Sequence, residues 1–102
     1  MECNTFQEFV HQGLIDRSIR LKRPRDLKSL YLELVGEVGE AANALKHTIW
    51  WPDGKDTESH VVEELGDIFW YIFAVCDSMD LKVEDILKSN MEKLAKRYPS
   101  LV

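Results

Sequence analysis

The chain has 102 residues and a net charge of −5, from 13 Lys and Arg against 18 Asp and Glu. Chains of this length seldom hold two independent cores, so we expect one domain over residues 1–102. The acidic balance, without a concentrated basic surface, argues against a nucleic acid polymer as the partner.

The first two predicted helices lie on either side of Pro24. Thr5 and Glu8 have capping-box spacing, and the first helix runs from there toward Arg23, where Pro24 ends it. The basic run over residues 17–25 is interpreted as the solvated end of this helix. The second helix begins near Leu27 and continues to the turn sequence of residues 51–54.

The third and fourth helices complete an all-α prediction. The third covers residues 58–78, and the fourth begins near Lys82 and stops before Pro99. No segment shows sustained period-two alternation, so no strand is predicted. We therefore expect an antiparallel four-helix bundle.

Apolar positions at helical spacing predict which faces are buried. The second helix has one narrow stripe, and the third has another that is expected to face the core. These positions are Leu30, Tyr31, Leu34, Val38, Ala41, Leu45 and Ile49, then Val61, Val62, Leu65, Ile68, Phe69, Ile72, Cys76 and Met79.

The second half of the third helix is apolar all round. Trp70, Tyr71, Phe73 and Ala74 fall outside its stripe, which predicts that they form a subunit interface. A hydrophobic content of 45% is also low for burying four helices within one chain. Both observations predict a homo-oligomer.

Features of a membrane or secreted protein are not expected. The uncharged stretch over residues 68–76 is far shorter than the roughly 20 residues of a membrane-spanning helix, and no signal peptide opens the chain. Cys3 and Cys76 lack metal-ligand spacing and are interpreted as reduced thiols. A cytoplasmic location follows as the expectation.

Two acidic pairs are the candidate metal ligands. Glu37 and Glu40 lie three residues apart on the second helix, and Glu64 and Asp67 do so on the third. Antiparallel packing would bring the pairs together, and four adjacent carboxylates must take up protons or bind a cation. Oxygen ligands favour Mg²⁺ or Mn²⁺, and the lack of a His or Cys set argues against zinc.

The glycines beside these pairs admit two interpretations. Gly36, Gly39 and Gly66 each lower the stability of their helix by about 1 kcal/mol relative to alanine in a helix interior. Close approach of a helix or a ligand would explain that cost, and loose packing is the alternative. An acidic pair on its own is also most often a solvated one.

A polar face on the fourth helix suits a polyphosphate. Asn90, Lys93 and Arg97 share this face, where Arg can grip phosphate oxygens and Lys supplies a mobile charge. Solvated residues stabilised by the helix dipole are the alternative.

Three runs together resemble the MazG-like nucleotide pyrophosphohydrolases. They are GEVGE over residues 36–40, EELGD over residues 63–67 with Trp70 and Tyr71 after it, and the spacing from Asn90 through Lys93 and Arg97 to Pro99. They match that family's pattern of ExxE, a spacer and ExxD. The resemblance extends from about residue 27 to residue 99.

The resemblance implies an activity and a role for each matching residue. It implies a Mg²⁺-dependent, all-α hydrolase that cleaves a (d)NTP to the (d)NMP and pyrophosphate, as in house-cleaning of nucleotide pools. Glu37, Glu40, Glu64 and Asp67 would be the catalytic metal ligands. The substrate-binding residues would be Asn90, Lys93 and Arg97.

The same resemblance does not identify the general base, and it implies an oligomeric assembly. Some relatives carry an acidic residue where this chain has Gly36, so no general base is assigned. A homotetramer built as a dimer of dimers, or a homodimer, is the implied assembly.

Several polar and aromatic residues keep a second interpretation. Glu33 could orient a ligand or water but is expected to be solvated, and Lys46 is expected to be exposed. His47 and His60 are expected to be solvated or hydrogen-bonded. Trp50 and Trp51 precede the turn. They could stack on a base or pack in the core or an interface, and both interpretations stay open.

Two other functional hypotheses compete with the enzyme. One is a catalytically silent helical oligomer that binds metal or nucleotide for regulation or assembly. The other is an interaction bundle whose acidic face is only solvated.

Overall fold

Four helices make up the fold in a computed structural model, which describes residues 1–20, 26–50 and 57–98. They are α1 (Cys3–Arg20), α2 (Leu27–Trp50), α3 (Thr57–Ser78) and α4 (Val83–Arg97). Within these ranges no residue forms a strand. The all-α prediction is confirmed, and none of these helices is long and apolar enough to cross a membrane.

Local hydrogen bonds define the starts of α1 and α2, and the start of α1 differs from the prediction. The Glu2 carbonyl accepts from the amides of Thr5 and Phe6, at 3.1 and 3.3 Å, so α1 begins at Cys3 and the Thr5–Glu8 pair lies inside the helix. At α2, the Asp26 carboxylate accepts from the backbone amide of Ser29 at 2.9 Å. Asp26 is therefore an N-cap that the sequence analysis missed, and these hydrogen bonds lower the pKa of its carboxyl. The predicted end of the first helix near Arg23 and the turn at 51–54 lie outside the described residues.

The central helix, α3, is antiparallel to both α1 and α2. Along α2, Glu33 meets Tyr71 and Glu40 meets Glu64, so contacts advance in opposite directions on the two helices. On the other side, the Cβ position of Gly13 in α1 would lie only 3.3 Å from Trp70 Cζ2. Glycine thus permits a close approach of α1 and α3.

The buried core lies mainly between α1 and α3, with one residue each from α2 and α4. Phe6 packs edge-on against Phe73, with 4.8 Å between their ring centroids, at the margin of this core. Burial also raises the pKa of the Cys76 thiol, and neither cysteine forms a disulfide. The fully assembled core cluster consists of Val10, Leu14, Leu30, Phe73, Ala74, Val75, Cys76 and Val83.

The prediction of which α3 face is buried was wrong. Phe73 and Ala74 were expected at a subunit interface but are buried in this core, and Trp70 and Tyr71 pack against it. Of the predicted core stripe, Cys76 is buried, but most other positions are exposed: Phe69, for example, retains 56% of its accessible surface. Periodicity could not distinguish the faces because both are apolar, and α1 packs on the one outside the stripe.

An outer apolar surface therefore remains on α2 and α3. Its residues lie about a quarter turn from the α2–α3 contact, on the side of α3 away from α1. The radius of gyration, 16.4 Å, also exceeds the about 13 Å of a compact chain of this length. The outer apolar surface comprises Leu27, Tyr31, Val38, Leu45, Val62, Leu65, Phe69 and Ile72.

The junction between α3 and α4 is held by α1. The Gln7 side chain donates to the Leu81 carbonyl at 2.7 Å and accepts from the Val83 amide at 3.1 Å. One turn along α1, His11 Nδ1 lies 2.9 Å from an Asp77 carboxylate oxygen. Beyond this junction, Leu87, Met91 and Tyr98 form an exposed apolar stripe along α4 and its C-cap, and Met91 is 70% exposed.

Candidate metal centre

Three of the four candidate carboxylates meet between α2 and α3. Glu37, Glu40 and Glu64 each offer an oxygen within 4.8 Å of the others. Asp67 lies outside this group of three, but its charge raises the pKa of both Glu37 and Glu64. We refer to these four residues as the carboxylate layer.

The carboxylate layer is electrostatically unfavourable without a cation. Burial first, and then repulsion from Glu40, Asp67 and Glu64, together raise the pKa of Glu37 to about 7. Burial followed by repulsion from Glu40 also raises the pKa of Glu64. Like charges gathered this closely favour binding of a proton or a metal ion.

Two carboxylate oxygens in this layer are buried without a protein partner. Glu37 Oε2 and Glu64 Oε2 are inaccessible to water, and in the described part of the chain no donor reaches them when both carboxyls are ionised. A proton on Glu37 would link the two carboxyls by a hydrogen bond. A buried acceptor without a partner is costly, and a cation would satisfy both oxygens. The donors are all carboxylate oxygens, which fit a hard divalent ion such as Mg²⁺ or Mn²⁺.

One helical turn away, a second layer is fully paired. Arg17 Nη2 donates to both carboxylate oxygens of Glu33, at 3.2 and 3.3 Å. The Tyr71 hydroxyl also hydrogen-bonds to Glu33, and burial is the main cause of its raised pKa. We call Arg17, Glu33 and Tyr71 the paired layer.

The paired layer corrects two interpretations of the sequence. Glu33 is not a solvated glutamate, and Arg17 does not belong to a solvated helix end, because its side chain is only 16% exposed. The guanidinium also lies over the rings of Trp70 and Tyr71, 5.2 and 5.7 Å from their centroids. Sequence patterns within one helix carry no signal for such a contact between three helices.

The cations of α4 are not brought to the carboxylate layer of the same chain. α4 packs chiefly on α1, and the shallow depression beside Lys93 and Arg97 is lined by no metal-site carboxylate. Neither cation is among the main causes of the pKa shifts of Glu37 and Glu64. Asn90 is exposed on the same helix.

The glycines near the carboxylates do not mark close helix packing within the described residues. A Cβ on Gly36, Gly39 or Gly66 would have no neighbour within 4 Å. The close approach in this structure is made by Gly13 instead. Space for a ligand or for a second copy is the remaining functional interpretation of the three open positions.

The structure describes only some of the remaining polar and aromatic residues considered in the sequence analysis. Lys46 and His60 are exposed, as expected. The side chains of His47 and Trp50, and all of Trp51, lie outside the described residues.

Comparison with known proteins identifies relatives across most of the chain. The family described as "MazG nucleotide pyrophosphohydrolase domain" matches residues 25–102, which confirms the resemblance inferred from the motifs. The Gene 37 protein of Mycobacterium phage L5 is 32% identical over 74 residues, covering 70% of this chain and 65% of the phage protein.

A bacterial protein gives a similar match. The uncharacterized protein YvdC of Bacillus subtilis (strain 168) is 31% identical over 72 residues, covering 66% of this chain and 68% of YvdC. The chain thus spans about two thirds of the length of these relatives. No solved structure gives a significant match.

Proposed function

The chain belongs to the MazG nucleotide pyrophosphohydrolase family, and we propose that it is a Mg²⁺-dependent enzyme that cleaves a (d)NTP to the (d)NMP and pyrophosphate. The observation that carries this proposal is the carboxylate layer, with two buried oxygens that lack a protein partner. Such a function suits house-cleaning of nucleotide pools in the cytoplasm.

Glu37, Glu40, Glu64 and Asp67 are proposed to hold the divalent ion. When bound, such an ion supplies Lewis-acid stabilisation of phosphoryl charge and lowers the pKa of a coordinated water. The carboxylates would hold the ion between α2 and α3, and Mn²⁺ would satisfy the same oxygens.

Lys93 and Arg97, with Asn90 beside them, are proposed to bind the triphosphate. Their charges neutralise the leaving pyrophosphate, which is the part of the substrate where negative charge accumulates. Because α4 packs on α1 rather than beside the carboxylates of its own chain, we assign this contact to α4 of a second copy.

A homo-oligomer is therefore part of the proposal. The outer apolar surface on α2 and α3 flanks the carboxylate layer, and contiguous apolar patches of this kind mark protein interfaces. A homodimer would cover it, and a homotetramer built as a dimer of dimers would also cover the exposed stripe of α4. The antiparallel four-helix bundle would then be completed between copies, with residues 1–102 acting as one domain.

A panel of nucleoside triphosphates with Mg²⁺ tests the activity. We expect a nucleoside monophosphate and pyrophosphate as products, and Glu40→Gln and Asp67→Asn each abolish turnover while the helical content is unchanged. Product analysis by chromatography, with circular dichroism as the folding control, measures both. Retained activity in either purified variant would refute the site assignment.

The same panel separates the competing hypotheses. Tight nucleotide binding with no turnover of any nucleotide would favour a silent metal- or nucleotide-binding oligomer. A chain that binds neither metal nor nucleotide would be an interaction bundle.

A charge on the outer apolar surface tests the assembly. We expect Phe69→Glu to yield a monomer by sedimentation equilibrium and to lose turnover, because the α4 cations of a second copy no longer reach the carboxylates. Ile19→Glu is the matched control, since Ile19 is an exposed apolar residue on α1. An active Phe69→Glu monomer would show that one chain suffices.

A further inference from the structure

Arg17 stands out because the segment that carries it lies outside the family match, which begins at residue 25. Nevertheless its side chain reaches across to α2 and α3. It is engaged there by Glu33, Trp70 and Tyr71 and is only 16% exposed, so little of it is open to a substrate. Any role in the reaction must therefore be exerted through its neighbours.

The neighbour that matters is Glu33. It precedes Glu37 by four residues, and positions i and i+4 lie beside each other on one helix face, about 6 Å apart at Cβ. Glu33 is therefore a fifth carboxylate adjacent to the carboxylate layer. Its side chain is 31% exposed, and it accepts hydrogen bonds from Arg17 and Tyr71.

We propose that Arg17 is a positioning residue that holds Glu33 away from the metal ion, so that only Glu37, Glu40, Glu64 and Asp67 serve as ligands. The inference rests on the proposed function. The guanidinium does this in two ways: one nitrogen donates to both oxygens of Glu33, and the aromatic faces of Trp70 and Tyr71 fix its plane.

The alternative is that Arg17 only attaches α1 to the rest of the chain. The structure offers a matched control for this alternative, because the His11 ring forms a hydrogen bond with Asp77 that also attaches α1, here to α3. This pair lies close to the α3–α4 junction, about three to four turns of α3 away from Asp67 and Glu64. Its removal tests the attachment of α1 without altering Glu33.

Loss of the Arg17 charge should change the affinity for Mn²⁺ in opposite directions under the two roles. If Arg17 positions Glu33, then Arg17→Met removes the charged partner that holds this carboxylate and lets it turn toward the carboxylate layer. Nucleotide-free Mn²⁺ binding then becomes tighter, by about threefold or more, while kcat falls about tenfold because the ion is held in the wrong ligand set. A purely structural Arg17 predicts weaker metal binding that follows the loss of stability.

The double variant Arg17→Met with Glu33→Gln completes the test. Removing the freed carboxylate should return both the Mn²⁺ affinity and kcat to within about threefold of the parent protein. His11→Leu should leave both quantities unchanged. If Arg17→Met does not fold, Arg17→Gln replaces it, since the amide keeps a donor for Glu33 but lacks the charge.

Calorimetric titration with Mn²⁺ alone and steady-state kinetics with Mg²⁺ and nucleotide are the two measurements. Weaker Mn²⁺ binding in Arg17→Met, no recovery in the double variant, or equal changes in His11→Leu would each overturn the positioning role. Absence of turnover in the parent protein would instead refute the proposed function, and the Mn²⁺ titrations would still decide what Arg17 does.

Discussion

Two neighbouring layers between α2 and α3 use the same residue type in opposite ways. In the paired layer, the carboxylate of Glu33 accepts from a guanidinium and a phenol. In the carboxylate layer one turn away, Glu37 and Glu64 each keep a buried oxygen without a partner. Glu33 is satisfied by the protein itself, whereas the carboxylate layer is preorganised for a group that the protein does not supply.

Under the proposed function, this difference would let a small helical domain carry a ligand site without a deep cavity. Burial and like charge within one layer make a cation favourable, and pairing in the next layer limits the site to one helical turn. Three substitution experiments would break or sharpen this comparison.

The largest expected effect comes from neutralising one glutamate in each layer. We expect Glu64→Gln to lower kcat by about 100-fold or more, because it removes a metal ligand, and Glu33→Gln to change kcat by less than about threefold. Initial rates of pyrophosphate release at saturating Mg²⁺ measure both variants. Equal losses would mean that the two layers form one functional unit.

The next largest expected effect is an increase in Tm on Mn²⁺ binding that depends on pH. Between pH 4.5 and about 7, metal-free folded protein binds more protons than the unfolded chain, because the pKa of Glu37 is raised. The Glu37 contribution to the free energy of unfolding therefore falls as pH rises through this window and is lowest above pH 7. Mn²⁺ replaces the proton, so it should raise Tm by about 5 °C or more at pH 8 and by much less at pH 5.5.

Glu37→Gln is the control for this thermal shift. It should remove most of the pH dependence of the metal-free Tm below pH 7, whereas Glu33→Gln should leave that dependence in place. A Mn²⁺ effect of the same size at both pH values would contradict the assignment of Glu37 to the carboxylate layer.

Alanine at two glycines gives the smallest effect. Gly39 on α2 has open space where a Cβ would lie, so Gly39→Ala should raise the free energy of unfolding by about 0.5–1 kcal/mol. At Gly13, a Cβ would press on Trp70 at 3.3 Å, and this contact should cancel the gain. Urea unfolding compares them, and a stabilised but inactive Gly39→Ala would indicate that the open space receives a ligand or a second copy.

Periodicity alone predicted much of this architecture. The ranges of α2, α3 and α4 agree with the predicted ones to within a residue or two, because each has a strong helical pattern and recognisable stop residues. The spacing of Glu37 with Glu40 and of Glu64 with Asp67 likewise indicated one shared site. These features depend on local geometry, which a sequence carries directly.

Contacts between helices were not accessible in the same way. Nothing in the pattern of α3 distinguishes the face with Phe73 and Ala74 from the face with Phe69, because both are apolar. The pairing of Arg17 with Glu33 depends on how α1 lies across α2, which no spacing within one helix encodes. The polar face with Lys93 and Arg97 was likewise visible in the sequence, but no spacing within α4 shows that this helix lies against α1 of its own chain.

The Gln7 side chain gives α4 its starting point in an unusual way. Helix N-caps are normally supplied by the residue at the helix start, yet Lys82 makes no side-chain cap here, and the amide of Val83 is satisfied by a residue 76 positions earlier. The direction of α4 is therefore specified by a part of the chain outside the family match. Relatives that differ in this leading segment can share every carboxylate and still present their last helix at a different angle.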